Sequence, residues 1–241
     1  MYAPKHILII FFTLVFSQLH SQASKRSGNG TRINFGPVVG FYTINQKHAI
    51  NPTQKMSLLF GFRREWRVDR DYKTYLQIGV DYFLHGVNFR SYYFGDDTLK
   101  LYDRSYRYSY ALTIHELNLP IQFKYLFNRE DNSLFSPYVT VAYHFRYLLP
   151  GQVRVTENGN LIKKDSPDIV FRTPLVNEKM NAFVSLGIGW QKNNLTASRG
   201  SFFAELNYRY GFSQYYFEAE YAASSLYVNG THVSLQLGLK F

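Results

Sequence analysis

The residues that come nearest to a catalytic group are His115 and Glu116, with Ser105 and Ser109 just upstream. A hydroxyl nucleophile activated by a histidine that an acid orients is the chemistry these types could support. Such residues are common, so closeness along the chain is weak ground, and His115-Glu116 reads better as a local irregularity in a strand. Cysteine is absent, which removes thiol nucleophiles, disulfides, thiolate zinc sites and a lipidated N-terminal cysteine together. The seven histidines show no helical or hairpin ligand spacing. Gly187-Ile-Gly189 lies inside a strand pattern rather than before a helix, so it relieves crowding and does not cradle a phosphate. The expectation is a protein that is not an enzyme and carries no metal or cofactor.

A different set of polar residues recurs with a period of two. Arg63, Gln77, Asp81, Gln122, Lys124, His144, Arg146, Glu205, Asn207, Arg209 and Lys240 each lie on the polar face of a segment whose other face is apolar. The last segment is the clearest: Val233, Leu235, Leu237, Leu239 and Phe241 oppose His232, Ser234, Gln236, Gly238 and Lys240. Period two is the signature of a strand. The same split runs through 33–43, 56–66, 76–84, 117–127, 139–147, 182–190 and 202–212, giving eight segments. Their polar faces mix Gly, Ser, Asn and Gln with single charges, which suits a crowded interior better than a wetted surface. Most segments reach the roughly 9 to 11 residues that a tilted strand needs to cross a bilayer.

Composition agrees. Aromatic residues make up 18% and charged residues only 18%, against about 25% charged in ordinary soluble domains. The reading is an all-β fold, a transmembrane antiparallel up-and-down β-barrel of eight strands. A ten-strand barrel stays open, because Asn158-Gly159 is a hairpin signal inside the longest connection. Connections near 68–71, 128–133 and 192–200 are short, and those near 95–106, 151–177 and 213–230 are long. Barrels of this kind pair short periplasmic turns with long external loops, so both termini are expected in the periplasm.

Aromatic girdles should then mark the interfaces. Trp66, Tyr72, Tyr125, Phe127, Trp190, Phe202 and Phe241 fall at the periplasmic rim, and Phe41, Tyr108, Tyr110, Tyr147, Tyr210 and Phe212 at the outer rim. Parity slips between Ile114 and Leu117, which reads as a β-bulge at His115-Glu116. An eight-stranded interior is just wide enough for side chains to fill it. Charges of both signs there should pair as a structural plug, the alternative being a narrow conduit. Some small membrane barrels are lipid enzymes, and the His115 group would be the candidate for that.

The N-terminus reads as an address. Lys5 and His6 precede an apolar run from Ile7 to Phe16 and a small-residue region in which cleavage after Ser21 or Ala23 would fit. Residues 1–23 are thus expected to be a signal peptide and 24–241 the barrel, delivered to a bacterial outer membrane. The balance of 27 Lys+Arg against 17 Asp+Glu gives +10, but the basic residues are dispersed, so nucleic acid is not expected as a partner. Lys163-Lys164 and Arg172 would sit in the long outer loop, where anionic lipopolysaccharide is one counterpart and water the other.

Three stretches resemble a known family, the PorT-like outer-membrane β-barrels common in Bacteroidota. His115-Glu-Leu-Asn-Leu-Pro-Ile-Gln-Phe-Lys-Tyr125 is similar to that family's proline-containing strand ending in Lys-Tyr. Ser136-Pro-Tyr-Val-Thr-Val-Ala-Tyr-His-Phe-Arg-Tyr147 is similar to the strand that follows it, with Ala142-Tyr143 where glycine is common. Arg209-Tyr210-Gly211-Phe212 and Val233 to Phe241 resemble the last two strands. The resemblance covers the second half of the chain. It implies insertion by the outer-membrane assembly machinery, which reads the final strand and its terminal aromatic. The family's namesake takes part in secreting gliding and surface-exported proteins, so the resemblance implies a scaffold or docking component of the envelope, with secretion as one role.

Overall fold

The computed structural model describes residues 30–44, 49–55, 57–69, 71, 73–92, 107–127, 135–157, 159–166, 168–172, 174–192, 201–211, 214–217 and 226–241. Within them the alternation becomes twelve strands: β1 (Gly30–Ile44), β2 (Ala49–Gln54), β3 (Ser57–Arg67), β4 (Thr74–Tyr92), β5 (Arg107–Leu126), β6 (Phe135–Glu157), β7 (Asn160–Asp165), β8 (Val170–Phe171), β9 (Met180–Lys192), β10 (Ser201–Gly211), β11 (Tyr215–Phe217) and β12 (Leu226–Lys240). Eight of them, β1, β3, β4, β5, β6, β9, β10 and β12, pair antiparallel in that order, and β12 pairs back onto β1. Thr31 and Phe241 close the ring by exchanging backbone hydrogen bonds of 3.0 and 2.9 Å. Closure leaves the eight-strand ring without the unpaired edges of an open sheet. The hairpin at Gly159, whose φ is +87°, adds β7 to β6 outside the ring, so the ring does not grow to ten.

Around the ring, alternate residues face outward. Phe35 and Phe41 of β1, Leu119 and Phe123 of β5, Leu186 and Ile188 of β9, and Leu235 of β12 are all about half exposed. Soluble monomers seldom expose a continuous apolar patch beyond a few hundred Å². A band of this kind on every ring strand is a surface built to face lipid. At one end the strands join through the short connections 68–73, 127–134 and 193–200. The first of these is fastened by the Asp69 carboxylate, which accepts the backbone N–H groups of Lys73 and Thr74 at 3.0 and 2.9 Å. At the other end β2 lies along β4, β7 folds back on β6, and β8 and β11 continue beside β12.

Beyond the band, at the long-connection end, the two faces exchange chemistry. Val87 and Phe89 of β4, Tyr110, Leu112 and Ile114 of β5, and Val153 and Val155 of β6 turn inward and form one apolar cluster with Tyr42, Ile169, Phe171, Tyr215 and Val228. This cluster plugs the barrel. The outward positions at the same height are Asn88, Arg90, Ser109, Thr113, Arg154 and Thr156. Where lipid ends and water begins, the strand's hydrophobic face must move to the inside.

Two expectations are corrected by this exchange. β5 carries no bulge at His115-Glu116, because Ile114, Glu116 and Asn118 all remain buried on one face, at 0%, 1% and 0% exposure. The irregularity belongs to β6, where Gln152 opposes Thr113 and Leu149 opposes His115, three residues of β6 passing against two of β5. Tyr110 is not part of the outer girdle. It is buried in the plug, stacked on Phe89 with ring centroids 4.9 Å apart.

Candidate functional site

The inward positions of the ring strands build a continuous column of polar contacts, arranged in tiers. At the base Glu65 of β3 takes Lys124 Nζ at 2.5 Å and Gln77 Nε2 at 2.5 Å, and it also pairs with Lys240. Lys124 Nζ lies 4.7 Å from the centre of the Tyr75 ring, so an aromatic face covers the side of the ammonium that no carboxylate reaches. The next tier centres on Glu205. Its carboxylate accepts Arg32 at 3.3 Å, the Tyr138 hydroxyl at 2.9 Å and Asn207 Nδ2 at 2.5 Å, while Arg32 lies 3.7 Å above the Phe203 ring. Arg32 also donates to Gln77 Oε1 at 2.9 Å and so links the two tiers.

Above them Arg63 grips Asp81 through two bonds, Nε to Oδ1 at 3.2 Å and Nη2 to Oδ2 at 2.6 Å, and donates to Gln122 as well. Such forked geometry is the strongest form of a charge pair. Arg209 shares Asp81 at 3.9 Å and lies between the faces of Phe83 and Phe183, at 5.0 and 5.5 Å. The top tier gathers Glu116, which accepts the Tyr215 hydroxyl at 2.6 Å and stands 3.5 Å from His85 and 3.7 Å from Arg146. The Tyr42 hydroxyl bridges His85 and His232 at 2.9 and 3.1 Å. Directly above this tier the apolar plug begins.

Each residue expected on the inner face can therefore be placed. Arg63, Gln77, Asp81, Gln122, Lys124, His144, Arg146, Glu205, Asn207 and Arg209 are buried in the barrel, and Lys240 lies at its base with a side chain 15% exposed. His144 sits beside the column, bonded to Ser185 at 2.9 Å and stacked on Phe183. The sequence reading missed Arg32, Asn34, Glu65 and Glu116, all buried inward. Glu65 has the same parity as Arg63, and Arg32 the same parity as Asn34, so extending each alternation by one step would have found them. Glu116 was hidden by the assumption of a bulge.

On the outer face Trp66, Tyr125, Phe127, Trp190, Phe202 and Phe241 lie at the short-turn end, and Phe41, Tyr147 and Tyr210 toward the long-connection end. Tyr72, Phe212 and the side chain of Tyr108 lie outside the described residues, as do residues 1–29 with the expected signal peptide. Val233, Leu235, Leu237, Leu239 and Phe241 line the outward face and end of β12.

The strand takes the hydrolase-like group apart. Glu116 points into the barrel, whereas His115 points outward, with its Nδ1 2.5 Å from the Tyr82 hydroxyl. Ser109 is on the same outer face but six residues away, about 20 Å along a strand rising 3.3 Å per residue. Ser105 lies outside the described residues. Among the described residues no three His, Asp or Glu side chains gather as metal ligands.

The architecture recurs in a solved structure. The outer membrane protein OprG of Pseudomonas aeruginosa superposes with a TM-score of 0.55 at 12% identity, over 89% of this chain and 96% of that chain. Neisserial surface protein A gives 0.44 at 10% identity, with the same coverage of 89% and 96%. No family model matches the chain, and no curated protein matches it. The likeness to OprG is one of fold: this chain is an eight-stranded antiparallel barrel of the outer-membrane type.

Proposed function

We propose that this barrel is a non-enzymatic integral protein of the bacterial outer membrane, serving as a scaffold on which other envelope proteins dock. The observation that carries the reading is the filled interior. Four buried carboxylates, Glu65, Asp81, Glu116 and Glu205, each pair with one or more of the cations Arg32, Arg63, Lys124, Arg146, Arg209 and Lys240, and an apolar plug lies over them. An interior committed in this way has little room for solute, so the surfaces are what remain to act.

The short connections and both ends of the chain face the periplasm in this proposal, and the signal peptide brings the chain there. The assembly machinery recognises the outward face of β12, from Val233 to Phe241. Lipopolysaccharide surrounds the outer half of the barrel. The resemblance to PorT-like barrels makes protein secretion the specific role to test. Mass spectrometry of secreted and surface proteins should show exported cargo lost outside, and retained in the periplasm, when the gene is cleanly deleted. An unchanged exported set would remove the secretion role and leave a general scaffold.

A further inference from the structure

The outer surface of the β4–β5–β6 extension carries a groove that the scaffold role does not use. Its volume is about 400 Å³, and Arg90, Ser109, Ala111, Arg154 and Thr156 line it. Register explains its shape. Arg90 of β4 opposes Ser109 of β5, which opposes Thr156 of β6, and in the next outward row Asn88, Ala111 and Arg154 align. Small side chains on β5 thus form a floor between two arginines on the flanking strands. Two interstrand steps separate those strands, about 9.6 Å in all. Guanidinium groups on long stems can converge across such a gap on one anion.

Among the described residues the groove is cationic without internal compensation. Among the described residues neither Arg90 nor Arg154 has an ion-pair partner, and Lys164 of β7 is aligned with Arg154 in register. Lys55, beside the groove, donates to the Thr113 hydroxyl. Burial, and then the like charge of Arg154, lowers the pKa of its ammonium below the usual lysine value. Like charges held together, with no acid between them among the described residues, call for an anion from outside.

Height identifies the anion. Leu84 is the last apolar outward residue of β4, and the groove lies around Asn88 and Arg90, four to six residues further on. At 3.3 Å per residue and a tilt near 40°, that is about 10 to 15 Å above the hydrocarbon edge. The headgroup layer extends about 5 to 8 Å beyond that edge, so the groove opens just above it. Phosphorylated sugars of the outer leaflet occupy this level.

We propose that this groove is a binding site for the phosphate groups of lipopolysaccharide, held between Arg90 and Arg154 with the Ser109 hydroxyl as a further donor. The proposal rests on the long-connection end facing outward, so the experiment has two readouts. In the first, the cysteine-free chain carries Val176→Cys, a position 73% exposed at that end, and intact cells are treated with a membrane-impermeant maleimide. Labelling is expected; no labelling would overturn the orientation and the site with it.

In the second, the purified barrel is titrated with lipopolysaccharide, with its enzymatically dephosphorylated form and with inorganic phosphate. Both the parent and an Arg90→Gln/Arg154→Gln double variant are used, after each is shown to keep the heat-modifiable migration of a folded barrel. The parent is expected to bind intact lipopolysaccharide at least tenfold more tightly than either the dephosphorylated form or the double variant does. Equal affinities of the purified proteins, alongside labelling of the cells, would overturn the groove while leaving the orientation standing. Displacement by millimolar inorganic phosphate would show a free-anion site and overturn lipopolysaccharide as its occupant.

Discussion

At the scale of single residues, the interior is governed by the cost of a buried charge without a partner. Arg63 and Asp81 are both nearly inaccessible, and each meets the other through two bonds. Arg209 shares the same carboxylate, so replacing one member of the cluster should be far worse than replacing all three. Asp81→Asn leaves Arg63 and Arg209 facing a neutral group and is expected to cost about 3 to 5 kcal/mol in equilibrium urea unfolding from lipid vesicles. Arg63→Met and Arg209→Met combined with Asp81→Leu should recover most of that loss, because well-packed apolar groups can replace a buried charge cluster at little cost when no member of it is left behind. A single variant as stable as the parent would show that the column does not support the fold. Much of this column was legible, since parity alone puts Asp81, Gln122 and Arg209 on one face. The pairings were not: Arg32 and Glu205 are 173 positions apart and meet only because the ring closes.

At the scale of strands, period two reveals that two faces alternate but not which of them is inside. That choice depends on the surroundings. Along β5 the polar positions face inward from Lys124 up to Glu116, and the apolar ones face inward from Ile114 to Tyr110, with no break in geometry. Read as chemistry alone, the change at Ile114–Leu117 looks like a slipped register, which is why a bulge was expected there and why Tyr110 was assigned to the girdle. The eight spanning segments were legible because lipid gives all of them the same sign; the extension of β4, β5 and β6 was not, because water reverses it. A variant within the plug tests this account. Leu112 is fully buried, and Leu112→Ala should cost about 2 to 5 kcal/mol locally. Limited proteolysis of the barrel in vesicles should then cut within the outer extensions of β4, β5 and β6 while the membrane-embedded part stays protected. Cleavage no faster than in the parent would mean that the plug does not hold the extension.

At the scale of the molecule, the ring, the charge column and the plug lead to one consequence, a membrane barrel whose interior is sealed. The scaffold reading stands on that sealing, because an open lumen would make the barrel a conduit whatever binds to its surfaces. The most direct test is single-channel recording of the purified barrel in a planar bilayer. The account predicts a silent bilayer after insertion has been verified, for the parent and equally for the Arg90→Gln/Arg154→Gln variant, whose changes lie on the outer face of β4 and β6. Regular, reproducible conductance steps from the parent would contradict it and make the barrel a channel.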